Sequence, residues 1–383
     1  MRDVVYAVSL VVICLVPTGE FFNTTMGTAS RLAGFVLGGV WLVAVYWSGT
    51  LRKVSFFHWA VGAFVVWNAL SVFWSIDAES SMVRFYAYLR MLLLCVIVWD
   101  LYIRAERIRA GLQAFVLGAY LPVVSTITNF ATQNAYSWER YSSSGNNANS
   151  TAIITAIAMP FAWYLASAPA TSRWARALKV ANFAFVPAAV LAIALTGTRF
   201  AIVMSLPTMI FVSTTLVRLK LATKISVLVF LVISLFYVGS VVPEASTARL
   251  GTVYEEAASG DFNGRLQFWK EGIRVWTDHP LLGVGANTFT LAVPSGRSAH
   301  NSFIAILTEL GLTGLALFGI IIGIVVLGVC RQPAAETYFW LTVVAVWLLG
   351  NLPMDFVHSR TTWVLLGLAV ASTGSASPRP PIH

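Results

Sequence analysis

The sequence predicts an all-α integral membrane protein of about 12 transmembrane helices, with one long outer loop between spans 9 and 10. Three observations predict it. Of 383 residues, 58% are hydrophobic and 11% charged, and the mean hydropathy is +0.76, far from the composition of soluble domains. Apolar segments of bilayer length recur along the chain. The lysines and arginines gather in alternate connections between them.

In chain order the apolar segments fall at about 4–17, 31–47, 56–74, 81–102, 108–130, 150–167, 178–196, 199–217, 224–242, 300–329, 335–352 and 360–374, judged against the roughly 20 residues that span a bilayer. The first is short and follows Arg2, as in a signal peptide. It reads as a helix, because "LVPTGEFFNTT" offers no small-x-small cleavage site and further apolar segments follow.

Positive side chains stay cytoplasmic. With the N-terminus inside, the inner segments hold Arg2, Arg52 and Lys53, Arg104, Arg107 and Arg109, Arg173, Arg176 and Lys179, Arg218, Lys220 and Lys224, Arg331 and Arg379. These are 14 of the 25 basic residues, while the outer connection "WSIDAES" carries acids only. Both termini then lie inside. This placement also accounts for the net charge of +9 without nucleic acid, whose binding calls for a basic stripe with interleaved aromatics.

The organisation is therefore nine helices over 1–242, an outer loop over 243–299, three helices over 300–374 and a disordered Pro/Ser-rich tail over 375–383. A loop of that length is usually functional or disordered, and this one carries order. "GRLQFWKEGIRVW" places Leu266, Trp269, Ile273 and Trp276 on one helical stripe, with Arg265, Lys270, Glu271 and Arg274 off it. "DHPLLGVGANTF" then ends the helix at Pro280 and turns on Gly283 and Gly285.

The three cysteines, Cys14, Cys95 and Cys330, stand singly and far apart, with no metal-ligand or disulfide spacing. The charges inside apolar segments say more. Arg90 lies near the middle of the fourth span, where an arginine is expensive, and Arg84 lies nearer its outer end. Arg199 follows a Thr-Gly-Thr turn, and Arg199, Arg265 and His300 all fall at the outer boundary. Such a group suits a phosphate-bearing lipid, because a guanidinium matches phosphate oxygens with a planar fork. Each arginine singly also reads as an ion pair, a headgroup contact or a snorkelling side chain.

His300 opens the tenth span beside Asn301. Projected at 100° per residue, Gly311 falls about 20° and Gly314 about −40° from His300, so the face below the imidazole lacks side chains. That face admits a ligand or a closely packed helix. Glu309 falls about 180° away, so a partner for the imidazole has to come from elsewhere.

"GRLQFWKEGIRVWTDHPLLGVGANTF" followed by "AHNSFIAILTELGLTG" resembles the signature of the bacterial O-antigen ligase and O-antigen polymerase family. The pattern of His, then Asn, Ser or Gln, nine residues, Gly, two residues and a further Gly, Thr or Val falls on His300, Asn301, Gly311 and Gly314. "SSSGNNANSTAIITAIAMP" and "LTGTRFAIV" resemble weaker landmarks, so the likeness covers about 140–330. It implies a multi-span glycosyltransferase of the bacterial inner membrane that uses no nucleotide sugar, cofactor or metal and works at the periplasmic face. The implied donor is a glycan on undecaprenyl pyrophosphate, and the acceptor is lipid A core or another lipid-linked glycan. Carried over by position, Arg199 and Arg265 hold the diphosphate and His300 acts on the acceptor hydroxyl, with Asn301, Gly311 and Gly314 in support. No third arginine matches the pattern, and Arg84 is assigned to the diphosphate by its place alone.

The resemblance implies O-antigen ligation in lipopolysaccharide biosynthesis, or repeat-unit polymerisation by the same chemistry. A transporter is the reading from another class, since many spans with buried arginines also describe carriers. Against it, the two halves show no similarity and the landmark residues gather at one surface. The orientation is directly testable. A reporter active only outside the cytoplasm is expected to work when fused after Asn263 and to stay silent when fused after Ala222. The same response from both fusions contradicts the twelve-span arrangement.

Overall fold

A computed structural model describes residues 1–18, 29–135, 140–170, 172–217 and 264–375, with isolated positions between 217 and 264. The apolar segment at 224–242 lies largely outside them, as do the first part of the long loop and the tail. Among the described residues the regular structure is helical, without a strand. The helices are α1 (Arg2–Leu15), α2 (Ala29–Ser48), α3 (Phe56–Ser71), α4 (Ala78–Leu101), α5 (Ala105–Ala131), α6 (Ala148–Ser167), α7 (Arg173–Thr196), α8 (Arg199–Leu216), α9 (Arg265–Asp278), α10 (Phe289–Ala292), α11 (Ser302–Val329), α12 (Ala334–Gly350) and α13 (Arg360–Ser375).

Six of them, α4 to α8 and α11, are long and apolar enough to cross a membrane, and Leu32–Ser48, Phe56–Ser71 and Ala334–Gly350 are shorter apolar helices. The chain is a multi-pass membrane protein. The crossing between residues 222 and 263 that a count of twelve spans requires is what the reporter fusions test.

The chain divides into two compact units. The first comprises Met1–Val40, Glu106–Val253 and Tyr338–Trp347. Its centre is α6, whose run of alanines, serines and threonines leaves nearly every side chain buried against α7 and α8. Small side chains let helix backbones approach closely, which is how helices associate where lipid removes the hydrophobic drive. The same logic brings α1 onto α5, where a Cβ on Gly118 would fall on the Cys14 carbonyl. Gln113 of α5 and Asn182 of α7 exchange reciprocal amide hydrogen bonds of 3.1 and 2.7 Å.

The second unit comprises Trp41–Ala105, Tyr254–Thr337 and Leu348–His383. Here α3 and α9 pack on α11, while α13 packs on α4 and α11. The decisive feature is a break in α11 at Gly311, where φ is 67° and ψ is −169°. A helix broken in the buried part of the unit leaves carbonyls and amides without partners. Each such buried group costs about 1–3 kcal/mol if left unmet, and lipid offers nothing to meet it.

The segment 280–285 supplies the partners. Val284 and Gly285 donate backbone N–H groups to the carbonyls of Thr308 and Glu309 at 3.1 and 2.9 Å, and Leu312 donates to the Pro280 carbonyl at 2.9 Å. The indole of Trp67 donates to the Leu310 carbonyl at 3.0 Å. Backbone against backbone at this range leaves no room for side chains. A Cβ on Gly283 would come within 2.4 Å of the Glu309 carbonyl, one on Gly311 within 2.3 Å of the Leu281 carbonyl, and one on Gly314 within 2.3 Å of the Leu310 Cβ.

This arrangement corrects the helical projection. His300 precedes the helix with a φ of 45°, and α11 is not continuous through Gly311, so no single angular frame relates the three positions. The two glycines serve the break and its repair. A second correction concerns the amphipathic helix, which forms as α9 with its inward face rotated towards Gly272. Leu266, Trp269 and Trp276 of the expected stripe are partly covered, Ile273 is 40% exposed, and Gly272 is buried with Phe268 and Val275 partly covered beside it. The reason is the close approach to α11 at Gly272, whose carbonyl accepts from the Thr308 hydroxyl at 3.1 Å.

Gly311→Ala tests the break. Its backbone region is essentially reserved for glycine, with about 1–3 kcal/mol of strain for other residues, and the Leu281 clash adds to that. The melting temperature of the purified protein in detergent is expected to fall by several degrees. Gly323→Ala, where an added methyl meets nothing within 4 Å, is expected not to lower it.

Candidate functional site

In the second unit, three chain segments converge on His300. The first is α9, which begins with Arg265 after a left-handed Gly264. Its Trp269 indole donates to the Ala299 carbonyl at 2.9 Å, tying the helix to the residue before the histidine. Phe289, Val293, Ala299 and Ala305 form the apolar seat beneath, with Val275 and Ile304 packed on it.

The second segment is the start of α11 itself. Asn301 is its cap, with the side-chain oxygen accepting from the N–H groups of Phe303 and Ile304 at 2.9 and 3.1 Å. The third is the connection 351–359. Ser302 holds it by donating its hydroxyl to Asn351 Oδ1 at 2.6 Å, accepting from the Phe356 N–H at 2.9 Å, and donating its N–H to the Asn351 carbonyl at 2.9 Å. That clamp fixes Asp355 close to the histidine.

His300 is half-buried, and its left-handed φ is rare among residues with a side chain. Among the described residues no hydrogen bond engages either ring nitrogen. Burial pushes its imidazole below the usual pKa, the nearby Arg265 and Arg297 push the same way, and Asp355 opposes them. The ring is therefore neutral at pH 7 and able to accept a proton. Burial also lowers the pKa of the half-buried Arg265, and among the described residues no carboxylate pairs with it.

Asp355 experiences opposite influences. Burial raises its pKa, but His358, Arg84 and His300 outweigh that and hold the carboxyl below its ordinary value, so it is ionised. His358 Nδ1 lies 3.5 Å from Asp355 Oδ2. The sequence reading missed Asp355 and Arg297. A sufficient signal for Asp355 was present in "DFVHS", an acid three residues before a histidine in a connection between apolar helices.

Arg84 and Arg90, both on α4, separate clearly. Arg90 lies on the exposed surface of the unit, whereas Arg84 is directed inward. Arg84 Nη2 donates to Asn287 Oδ1 at 2.5 Å, and its charge faces Tyr88, Glu309 and Asp355. Glu309 is buried and accepts from the backbone N–H groups of Asn287 and Phe289 at 2.9 and 3.2 Å. Its position in the sequence excluded it as an orienter of His300, and the structure gives it this other task.

Arg199 belongs to the first unit, as the first residue of α8 after its cap Thr198. The turn that presents it begins at Gly197, with a left-handed φ of 57°. Arg140, which the sequence reading did not single out, donates from Nε to the Thr196 carbonyl at 2.8 Å and from Nη2 to Asn149 Oδ1 and Thr198 Oγ1 at 2.9 and 3.3 Å. Of the arginines and histidine expected to act together, Arg84, Arg265 and His300 thus share one unit and Arg199 lies in the other.

Residues 183–319 match the family model described as O-antigen ligase. Arg199, Arg265, His300, Asn301, Gly311 and Gly314 fall within the matched range, while Arg84, Arg140 and Asp355 fall outside it. No curated protein matches the chain.

The electrostatics around His300 can be measured directly. Removing the Asp355 charge removes what favours the imidazolium, so Asp355→Asn is expected to shift the His300 titration to lower pH. Carbon-13 chemical shifts of the labelled imidazole report it, and an unchanged or upward shift contradicts the arrangement.

Proposed function

We propose that this chain, whose residues 183–319 match the O-antigen ligase family model, transfers a glycan from undecaprenyl pyrophosphate to an acceptor sugar hydroxyl at the periplasmic face of the inner membrane. O-antigen ligation to lipid A core is the reaction that this reading favours. The observation that carries it is the half-buried neutral imidazole of His300, set near the ionised Asp355 and near Arg265, a cation without a carboxylate partner among the described residues.

Each group has one task. The acceptor hydroxyl attacks the anomeric carbon, forming the new glycosidic bond as the bond to the diphosphate oxygen breaks. His300 takes the hydroxyl proton, and Asp355 stabilises the imidazolium that results. Arg265 meets the charge growing on the leaving diphosphate, which a fixed guanidinium does without reorganising. Single displacement inverts the anomeric centre. Arg199 is retained as the second diphosphate ligand on the strength of the resemblance. Arg84 is reassigned: its guanidinium bonds to Asn287 and faces Glu309 and Asp355, so it steadies that buried cluster and leaves the diphosphate to the other arginines. Asn301 supports by capping α11, and Gly311 and Gly314 by permitting its break. Repeat-unit polymerisation uses the same groups and differs only in the acceptor.

The test uses purified protein in lipid with a synthetic undecaprenyl-pyrophosphate glycan and a lipid A core acceptor. His300→Ala is expected to lower transfer by roughly 10²–10⁴, the usual loss with a general base. Arg265→Lys, which keeps the charge and loses the fork, is expected to weaken transfer strongly at normal abundance. Near-wild-type transfer by both variants overturns the assignment. Transfer only to a second lipid-linked glycan makes the protein a polymerase.

A further inference from the structure

The first unit contains a guanidinium, Arg140, that bonds to both sides of one turn. Helix α7 ends at Thr196, the chain reverses at the left-handed Gly197, Thr198 caps α8, and Arg199 follows. Arg140 reaches both sides of that reversal. Its Nε meets a carbonyl at the C-terminal end of α7, where the helix dipole favours a cation, and its Nη2 meets the hydroxyl of the residue that caps α8. The same Nη2 meets Asn149 Oδ1, which also accepts from the Thr198 hydroxyl at 3.2 Å. Thr196 Oγ1 closes the set with a 3.0 Å bond to Thr198 Oγ1.

The loop carrying Arg140 is itself held. The Tyr141 N–H donates to the Leu195 carbonyl at 3.0 Å, and its ring packs with Leu195, Ile127 and Phe130. Asn129 of α5 donates to the Ser142 carbonyl at 2.7 Å, and Asn147 caps α6. Arg140 therefore has a rigid base on one side and the turn on the other. The guanidinium spreads its donors over a rigid planar fork, Nε to the carbonyl and Nη2 to the two side-chain oxygens, whereas a lysine would have to gather the same acceptors around one nitrogen.

We infer that Arg140 is a positioning residue for the transfer reaction: through Thr196, Thr198 and Asn149 it fixes the turn that presents Arg199 to the diphosphate of the donor. The inference rests on the proposed reading of Arg199 as a diphosphate ligand. An Arg199 whose backbone is fixed this way has less freedom to lose when it meets an anion, so the effect belongs to donor use and not to the acceptor.

The experiment is a double-mutant cycle in the full chain, reconstituted in lipid with the synthetic undecaprenyl-pyrophosphate glycan. Arg140→Lys is expected to lower kcat/KM for the donor roughly tenfold, with the acceptor KM and the melting temperature unchanged. In the Arg199→Lys background the same change is expected to cost nothing further. Wild-type donor efficiency in Arg140→Lys overturns the inference, as do an additive loss in the double variant or a shifted acceptor KM. If Arg140→Lys lowers abundance, Asn149→Ala and Thr198→Ala, each removing one contact to Arg140, carry the same cycle. Wild-type protein inert toward this donor overturns the proposed function and this inference with it. An active wild type matched by Arg140→Lys overturns only the inference.

Discussion

The second unit depends on a broken helix that must be mended by other backbone. At Gly311 the ladder of α11 stops, and lipid cannot satisfy the groups it frees. The Pro280–Gly285 segment satisfies them with its own N–H and C=O groups. Indoles complete the repair: Trp67 donates to Leu310, and Trp74 donates to the Leu282 carbonyl at 3.1 Å. Because this is main chain against main chain, it tolerates no Cβ at positions 283 and 311. The break therefore sets which residues those positions can hold and where the segment after α9 must run.

The placement of charge follows from that path. Once 280–285 is laid against α11, Ala286 is held by Ser71 and Ser81, and Asn287 reaches both Glu309 and Arg84. Glu309 and Arg84 are thereby both hydrogen-bonded inside the unit through Asn287. Arg265 has no such counter-charge among the described residues. A buried cluster held together through Asn287 contributes architecture, whereas a half-buried cation with no counter-charge among the described residues has attraction left for a ligand. This is why Arg265, and not Arg84, is given to the diphosphate.

Left-handed backbone marks the active-site candidates as well as the turns. His300 and Asn287 both have positive φ without being glycine, at 45° and 63°. Such conformations persist only where the surroundings over-determine them. At His300 the surroundings are the Trp269 bond to Ala299, the Asn301 cap and the Ser302 clamp on the 351–359 connection. In the first unit, the Gly197 turn and its Arg140 clamp hold Arg199 by the same means. In each case the candidate side chain sits immediately beside a fixed turn, which limits how far it can wander.

The helical, membrane-embedded class was determined by the sequence alone, because an apolar run of bilayer length has no alternative to a helix where water is absent. The family resemblance was also legible, since the spacing of His300, Asn301, Gly311 and Gly314 is local. The amphipathic helix at α9 could be placed but its inward face could not, because that face is chosen by contact with α11 at Gly272. Asp355 is 55 residues from His300 in the chain, and Arg140 is joined to a turn that begins more than fifty residues later. Both are brought into place by hydrogen bonds between distant segments. The break at Gly311 belongs with them. A glycine in an apolar run reads as a small residue for helix packing, and only the backbone of 280–285 lying against it turns that glycine into the end of one helix and the start of the next.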